Sequence, residues 1–216
     1  MGFCMDLAEL RRDVLPSLEK VIKFSLLNNL NIHTAVGAKF AELYVTSELW
    51  EHEPKLAQQR WGIKEVRHSV SCDIVLAKTG RKLEVKWSVF HYSPNDLFVK
   101  GSDGIPFWGW GFSHGKQFKD RKFDYCILIA AEKDGAYPRH IFVIKCEEMT
   151  DETMGGPRRS AVYSKGSFYV EFSLNKEFYY KRRWYPKGPS PLEDNIFKNW
   201  EKYERRWNDL KEKGTL

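Results

Sequence analysis

The chain has 216 residues, of which 42% are hydrophobic and 15% aromatic, and its net charge at pH 7 is +6. This composition supports a buried core and excludes a disordered or low-complexity chain. No run approaches the roughly 20 apolar residues of a membrane span, and the N-terminus lacks the pattern of a signal peptide. The sequence therefore predicts a single cytoplasmic domain over residues 1–216 that is not inserted in a membrane.

The cysteines and the charge narrow the class of protein further. The four cysteines lack zinc-ligand spacing, so we expect reduced thiols. Lys and Arg number 35 against 29 Asp and Glu, and this excess mildly favours a polyanionic partner.

Helical patterns dominate the first quarter of the chain. Apolar residues at spacings of three and four over 5–30 predict a helix, or a helix pair bent near Pro16. A second helical pattern covers 35–50. Because it is charged only at Lys39, Glu42 and Glu48, we expect this helix to be largely buried.

From residue 61 the hydrophobic period changes to two. Residues rich in Val, Ile and aromatic side chains predict strands at 61–68, 70–77, 82–90, 123–131, 140–145 and 167–173. The glycine-rich stretch between the third and fourth strands is too long for a simple connection, so we expect a functional loop there, with a short helix near 113–122. A pattern over 191–213 predicts a C-terminal helix. This order of elements predicts an α/β or α+β fold.

The most informative stretch is SCDIVLAKTGRKLEVKWS, residues 71–88. Two apolar strands flank a turn in which Gly80 can supply a positive φ. With a two-residue loop that ends at Gly80, Asp73 faces Lys86 and is a diagonal neighbour of Glu84. Side chains alternate along a strand, so these three groups share one face, with the two acids roughly 7–8 Å apart at Cα.

Three ionisable groups on one strand face are costly to bury unless they bind something. Their chemistry suits metal-dependent phosphodiester hydrolysis, in which carboxylate oxygens hold Mg²⁺ and a lysine orients water or stabilises the developing negative charge. Asp73 and Glu84 are the expected ligands, with the carbonyl of Val85 as a further oxygen ligand. Lys86 is the expected catalytic lysine, and Mn²⁺ is the expected substitute for Mg²⁺.

Asp73, followed eleven positions later by Glu84-Val85-Lys86, resembles the PD-(D/E)xK core of restriction-endonuclease-like nucleases. The resemblance covers roughly residues 35–146 and includes two later apolar strands, FDYCILIAA and HIFVIKCEEM. Cys72 stands where the family has its proline. The resemblance implies a central mixed β-sheet flanked by helices. Here it would carry an N-terminal helical segment over 1–34 and a C-terminal extension over 147–216.

The resemblance implies further site residues. A helix before the core often contributes another acid in this family, and Glu42 in KFAELYVTSE matches that position as a metal ligand, with Glu48 as the alternative. Glu42 shares a helix face with Val45 and Leu49, so it is an acid on an otherwise apolar side. Gln117 resembles the glutamine that some members carry on the helix behind the active site.

Basic and aromatic residues are candidates for nucleic-acid contacts. Basic side chains position a protein on phosphates, whereas aromatic faces and amides can read unpaired bases. The expected phosphate contacts are Lys181, Arg182, Arg183, Arg158 and Arg159. Within the aromatic segment 87–112, the expected base contacts are Tyr92 and Asn95.

Each assignment has a structural alternative. The motif occurs by chance in other proteins, and Lys86 could merely pair with Asp73 across a surface hairpin. Glu42 could pair with Lys39 at the helix surface. The aromatic residues of 87–112 could cover the core instead of reading nucleic acid.

The sequence predicts a Mg²⁺-dependent endonuclease that acts on DNA, most like a small type II restriction endonuclease. A homodimer would place two active sites on the two strands. RNA stays open as a substrate. The alternatives are a repair or junction-resolving nuclease of the same fold, and a nucleic-acid binding module that does not cleave.

Overall fold

The computed structural model of the chain describes residues 7–28, 30, 32–52, 72–76, 80–89, 91–92, 106–112, 123–132, 135–149, 168–174 and 200–210. It has helices followed by a mixed β-sheet, so the predicted α+β class is confirmed. Within these ranges, no helix is long and apolar enough to cross a membrane.

The N-terminal helices match the sequence pattern. A short helix α1 (Leu7–Glu9) continues through a π-helical turn (Leu10–Val14) into α2 (Leu15–Leu27). Pro16 lies in the first turn of α2, which directly follows the π-helical turn, and that turn is where the helix departs from regular α geometry. The next helix, α3 (Ile32–His52), extends beyond the predicted 35–50 at both ends.

The main sheet contains β1 (Ile74–Val75), β2 (Lys82–Ser88), β5 (Tyr125–Ala131) and β6 (Pro138–Lys145). Their order in the sheet is β1-β2-β5-β6. The short β1 pairs antiparallel with β2, β2 runs parallel to β5, and β5 pairs antiparallel with β6. The strands predicted at 82–90, 123–131 and 140–145 are confirmed, whereas β1 is shorter than the predicted 70–77. The strand predicted at 61–68 lies outside the described residues.

A second, three-stranded antiparallel sheet contains β3 (His91–Tyr92), β4 (Pro106–Phe112) and β7 (Phe168–Phe172). The expectation of a loop without strands between β2 and β5 is therefore wrong. Aromatic residues alternate with glycines along β4, and this period of two was hidden by the glycine content of the segment. The short helix predicted near 113–122 lies outside the described residues.

Apolar side chains cover both faces of the main sheet. On one face α3 packs against β2, β5 and β6 through Ala41, Val45 and Leu49. On the other face the second sheet contributes the buried side chains Trp108 and Trp110. Because β5 is buried on both faces, all seven of its residues have buried side chains.

The described part of the C-terminal segment is not one helix. Helical residues 200–203 end at Glu204, which forms a β-bridge with Phe142 of β6, and Arg205 adopts a φ of 48°. A 3₁₀ helix follows at Trp207–Leu210. The side chains before and after this turn are buried on opposite faces of the sheet. The continuous helix predicted over 191–213 is wrong here, because a straight helix cannot wrap around the β6 edge.

Candidate active site

The β1–β2 hairpin places Asp73 opposite Glu84. Ile74 pairs with Leu83, so the residue just before β1 lies opposite the residue just after Leu83. The regular pairing ends there, because the N–H of Asp73 also turns to β2 and donates to the carbonyl of Leu83. Asp73 therefore lies next to Glu84 at the end of the paired part of the hairpin.

The predicted hairpin register, with Asp73 opposite Lys86, is wrong because the loop is longer. The N–H of Leu76 donates to the carbonyl of Arg81 at 2.9 Å, so four residues instead of two separate the last paired residues of the hairpin. Gly80 has the expected positive φ, 68°. A shift by an even number of residues keeps the side chains of the paired strands on their predicted faces, and the partner of Asp73 changes.

Asp73 is fixed by two hydrogen bonds to β2. Its N–H donates to the carbonyl of Leu83 at 2.9 Å, and its Oδ2 accepts the N–H of Val85 at 2.7 Å. In an extended strand the N–H and C=O of one residue point to the same side. The carbonyl of Val85 therefore points to the edge of β2 where the Asp73 carboxylate lies, in agreement with its predicted role as an oxygen donor.

Glu84 and Lys86 lie on the face of β2 away from α3. The Glu84 residue is only 5% exposed, and its carboxylate forms an ion pair with the Lys86 ammonium. On the neighbouring strand, Cys126 is the register partner of Glu84. The Lys86 ammonium lies 5.7 Å from the centre of the Phe112 ring. Apolar walls thus surround this pair.

Burial and nearby carboxylates shift the pKa values of the pair. Burial raises the pKa of Glu84; Lys86 opposes this shift, and the charges of Asp73 and Glu42 add to it. Burial alone would lower the pKa of Lys86, but the carboxylates of Glu84 and Asp73 outweigh burial and raise it. Burial therefore dominates at Glu84, and the surrounding carboxylates dominate at Lys86. These carboxylates also favour the binding of a cation.

Helix α3 packs on the opposite face of β2, and its Glu42 lies close enough to Asp73 and Lys86 for their charges to act on it. Gly37 of α3 lies against Trp87 of β2, and a Cβ at Gly37 would be 2.4 Å from the Trp87 ring atoms Cε3 and Cζ3. The absence of a side chain therefore permits the close approach of helix and strand. Trp87 is held in turn by a hydrogen bond from its Nε1 to the carbonyl of Ala136, at 3.3 Å. Glu42 follows Gly37 by little more than one helical turn.

The structure separates the two candidate acids of α3. Burial raises the pKa of Glu42, the ion pair with Lys39 opposes the shift, and Asp73 and Lys86 both act on the Glu42 charge. Glu48 instead pairs with Arg11 of the N-terminal helical segment, at 3.7 Å. Glu42 is therefore the acid that belongs to the cluster. Its predicted alternative role, a pair with Lys39, occurs in the same structure.

The donor set can be compared with what Mg²⁺ requires. Carboxylate and carbonyl oxygens are the ligands this hard cation prefers, and Asp73, Glu84 and Val85 supply them. In the described ranges no three His, Cys, Asp or Glu side chains are arranged as a metal site. The three carboxylates are instead engaged by Lys39, Lys86 and the N–H of Val85. The residue types fit the cation, and the side chains would have to exchange these partners to bind it.

Several aromatic residues of the segment 87–112 belong to the buried core. Trp108 and Trp110 are 0% and 1% exposed. Their indole N–H groups donate to the carbonyls of Ala131 and Ile129 at 2.8 and 3.1 Å. These two residues cover the core, as the structural alternative predicted. Tyr92 lies in β3, where its backbone pairs with Pro106, and its side chain is not among those described.

The remaining predicted site residues lie outside the described residues. They are Gln117, Asn95, Arg158, Arg159, Lys181, Arg182 and Arg183. The free thiols expected from the sequence are present and buried at Cys72, Cys126 and Cys146. Sequence reasoning missed Gly37, although a glycine inside a buried helical pattern is a signal of close packing.

Comparisons with protein-family models, curated proteins and solved structures give no significant match to this chain. A function must therefore be argued from the residues of the site and their geometry.

Proposed function

We propose that the chain is a Mg²⁺-dependent nuclease of the PD-(D/E)xK type that hydrolyses phosphodiester bonds in DNA. The observation that carries this proposal is the grouping of Asp73, Glu84 and Lys86 at β2, with Glu42 near enough for its charge to act on Glu84. They come from α3, from the residue before β1, and from β2 itself. Groups so far apart in sequence meet only because the fold places them together.

The arrangement of elements supports a restriction-endonuclease-like core. A helix with an acid precedes an antiparallel hairpin that carries the motif, and a parallel strand, β5, follows. Helix α3 covers one face of the mixed sheet and contributes the additional acid. These features agree with what the motif alone implies.

Each residue of the cluster has a role in the proposed reaction. Asp73, Glu84 and the carbonyl of Val85 would hold Mg²⁺, with Glu42 as an additional acid. The bound ion would activate water and neutralise phosphate charge. Lys86 orients the attacking water or stabilises the charge that develops on the phosphate. The contact with Phe112 limits where its ammonium can move.

Cleavage accounts for the cluster better than binding alone does. Three carboxylates at a phosphate-binding surface repel the phosphates, so they weaken a module that only binds nucleic acid. They become useful once a cation is bound between them and the substrate. The net charge of +6 agrees with a polyanionic substrate, and the basic residues predicted to contact phosphates would supply affinity elsewhere.

The choice of DNA, the restriction role and the homodimer follow from the sequence resemblance and stay predictions. A repair or junction-resolving nuclease would use the same cluster on a different substrate. These possibilities differ in what is cut, so one panel of substrates separates them.

The test is to incubate the full chain with supercoiled plasmid, single-stranded DNA, a four-way junction and RNA, each with Mg²⁺ and with EDTA. We expect cleavage of DNA with Mg²⁺ and none with EDTA. Mapping the ends then distinguishes cleavage at a fixed sequence from cleavage at a DNA structure. Binding to these substrates without any cleavage in Mg²⁺ would support the non-cleaving module instead.

A further inference from the structure

Lys39 lies on the solvent side of the candidate site. Its side chain is 62% exposed, against 22% for Glu42, its ion-pair partner. The buried end of the cluster is less exposed still at Glu84, which has a side-chain exposure of 7%. Exposure thus decreases from Lys39 through Glu42 to Glu84. Of these three side chains, Lys39 is therefore the most accessible to a nucleic-acid strand in solvent.

Lys39 is positioned by its ion pair with Glu42, a residue of the candidate site. Lys39 and Glu42 are three residues apart on α3, a spacing that places them on one helix face. Glu42 is also the residue on which Asp73 and Lys86 act electrostatically. The Lys39 ammonium therefore pairs with a carboxylate that itself lies near the proposed catalytic groups.

On the basis of the proposed function, we propose that Lys39 is a substrate-binding residue that contacts a phosphate next to the scissile phosphate. An ammonium on a flexible stem suits this task, since it acts as a point charge that follows a moving phosphate. It also offsets the repulsion that the carboxylates of Glu42 and Glu84 exert on an incoming strand.

This role differs from that of Lys86. The Lys86 side chain is 28% exposed and is paired with Glu84 at the base of the site, where it acts on the reacting phosphate. Lys39 contacts a phosphate that does not react, so its contribution is the same in the ground state and in the transition state. Loss of such a contact raises KM more than it lowers kcat.

The test compares Lys39→Gln with Lys23→Gln. Lys23 is a matched control, because it is a half-exposed helix lysine paired with a carboxylate, Glu19, but lies on α2. We expect Lys39→Gln to raise the Kd for a DNA oligonucleotide in EDTA about threefold to tenfold at low salt. It should reduce the salt slope of log Kd by about one, as for one lost phosphate contact.

In Mg²⁺ the Lys39→Gln loss should appear mainly in KM, and Lys39→Arg should restore most of the affinity. Three results would overturn the proposal. Equal Kd and salt slope in the Lys39→Gln and Lys23→Gln proteins would show that Lys39 does not contact the substrate. A lower kcat with unchanged Kd would show that it only positions Glu42. If the unmodified protein cleaves no nucleic acid in Mg²⁺, the proposed function itself fails, and this inference fails with it.

Discussion

At the scale of residues, burial and neighbouring charges determine the protonation of Glu84 and Lys86 at the candidate site. Burial favours the neutral forms of Glu84 and Lys86, yet Lys86 stays an ammonium because carboxylates surround it. Removal of one group from such a cluster changes the balance for all the others. The charges should therefore be tested one at a time, with substitutions that preserve shape.

The first prediction concerns Lys86. We expect Lys86→Gln to lose Mg²⁺-dependent cleavage by about two to three orders of magnitude, the usual cost of removing one transition-state contact, while DNA binding is retained. Lys86→Arg should also be poor, because the planar guanidinium does not replace a point charge. Cleavage assays and binding titrations on the same proteins measure both effects.

The control for this prediction is Lys82→Gln. Lys82 begins β2 on the same face of the strand but is exposed, so its loss should leave cleavage within about twofold of the unmodified protein. If binding and cleavage fall together in Lys86→Gln, Lys86 is an anchor for the substrate instead of a catalytic group.

The second prediction concerns Asp73. Asp73→Asn removes one negative charge but keeps an oxygen that can accept the N–H of Val85. Without metal we expect a melting temperature equal to or above that of the unmodified protein, since like charges are relieved. Mg²⁺ or Mn²⁺ should raise the melting temperature of the unmodified protein and not that of the variant. An equal shift in both would place the metal elsewhere.

At the scale of elements, the contact between α3 and β2 determines where Glu42 lies. We expect Gly37→Ala to destabilise the protein. The clash with Trp87 costs about 1–3 kcal/mol, which exceeds the roughly 1 kcal/mol gained in helix propensity. Each kcal/mol lowers the melting temperature of a chain of this size by about 2–4 °C. Cleavage should also fall, because Glu42 moves with the helix.

Gly135→Ala is the matched control for this prediction. A Cβ at Gly135 would meet Glu19 Oε1 at 3.3 Å and Lys23 Cε at 3.4 Å, and both side chains can move. Its melting temperature should stay close to that of the unmodified protein. A Gly37→Ala protein that is more stable than the unmodified one would show that the contact does not constrain α3.

The C-terminal segment is attached through Glu148. Burial opposes ionisation of Glu148, but hydrogen bonds from Lys202 and Arg206, each 3.1 Å in its shortest contact, outweigh it and lower its pKa. A carboxylate with a lowered pKa stabilises the folded state above its unfolded pKa. This stabilisation is lost as the pH falls through the folded value.

We therefore expect Glu148→Gln to lower the melting temperature by about 2–4 °C at pH 7, which corresponds to about 1 kcal/mol. The difference from the unmodified protein should shrink as the pH falls below 4.5, the ordinary pKa of this group. Melting curves between pH 7 and pH 3.5 measure it. Glu147→Gln, at an exposed neighbour, is the control. A difference that stays constant with pH would rule out the charge of Glu148 as its cause.

The sequence predicts which face a strand residue occupies better than it predicts its partner. Alternation put Glu84 and Lys86 on one face of β2, and this is confirmed, whereas Asp73 lies just outside β1 and its face stays a prediction. The register depends on the loop length, and Gly80 with positive φ suits both a two-residue and a longer loop. The prediction of one continuous C-terminal helix was wrong for a related reason. Helical spacing of Trp200, Tyr203 and Trp207 identifies buried residues, but it cannot reveal that they are buried on opposite faces of the sheet.

At the scale of the whole molecule, an aromatic-rich core and a largely aliphatic core enclose the strand that carries the site. The buried indoles of Trp108 and Trp110 fix the second sheet to β5. Helix α3 fixes the opposite face. β2 is thereby held between two packed layers, and at its edge the pairing with β1 extends to Leu83, just before the charged residues Glu84 and Lys86. A rigid support of this kind suits a site in which several groups must stay aligned.

The central claim is that this edge of β2 is the active site of a metal-dependent nuclease. The most direct measurement is plasmid cleavage in Mg²⁺, with Mn²⁺ in parallel, by the unmodified protein, Glu84→Gln and Asp124→Asn. Asp124 is the control, because it is another carboxylate beside β2, but its Oδ2 accepts the N–H of Lys82 at 2.7 Å and does not belong to the proposed site. The account predicts cleavage by the unmodified protein and by Asp124→Asn, and none by Glu84→Gln. Equal cleavage by all three proteins, or by none of them, would contradict it.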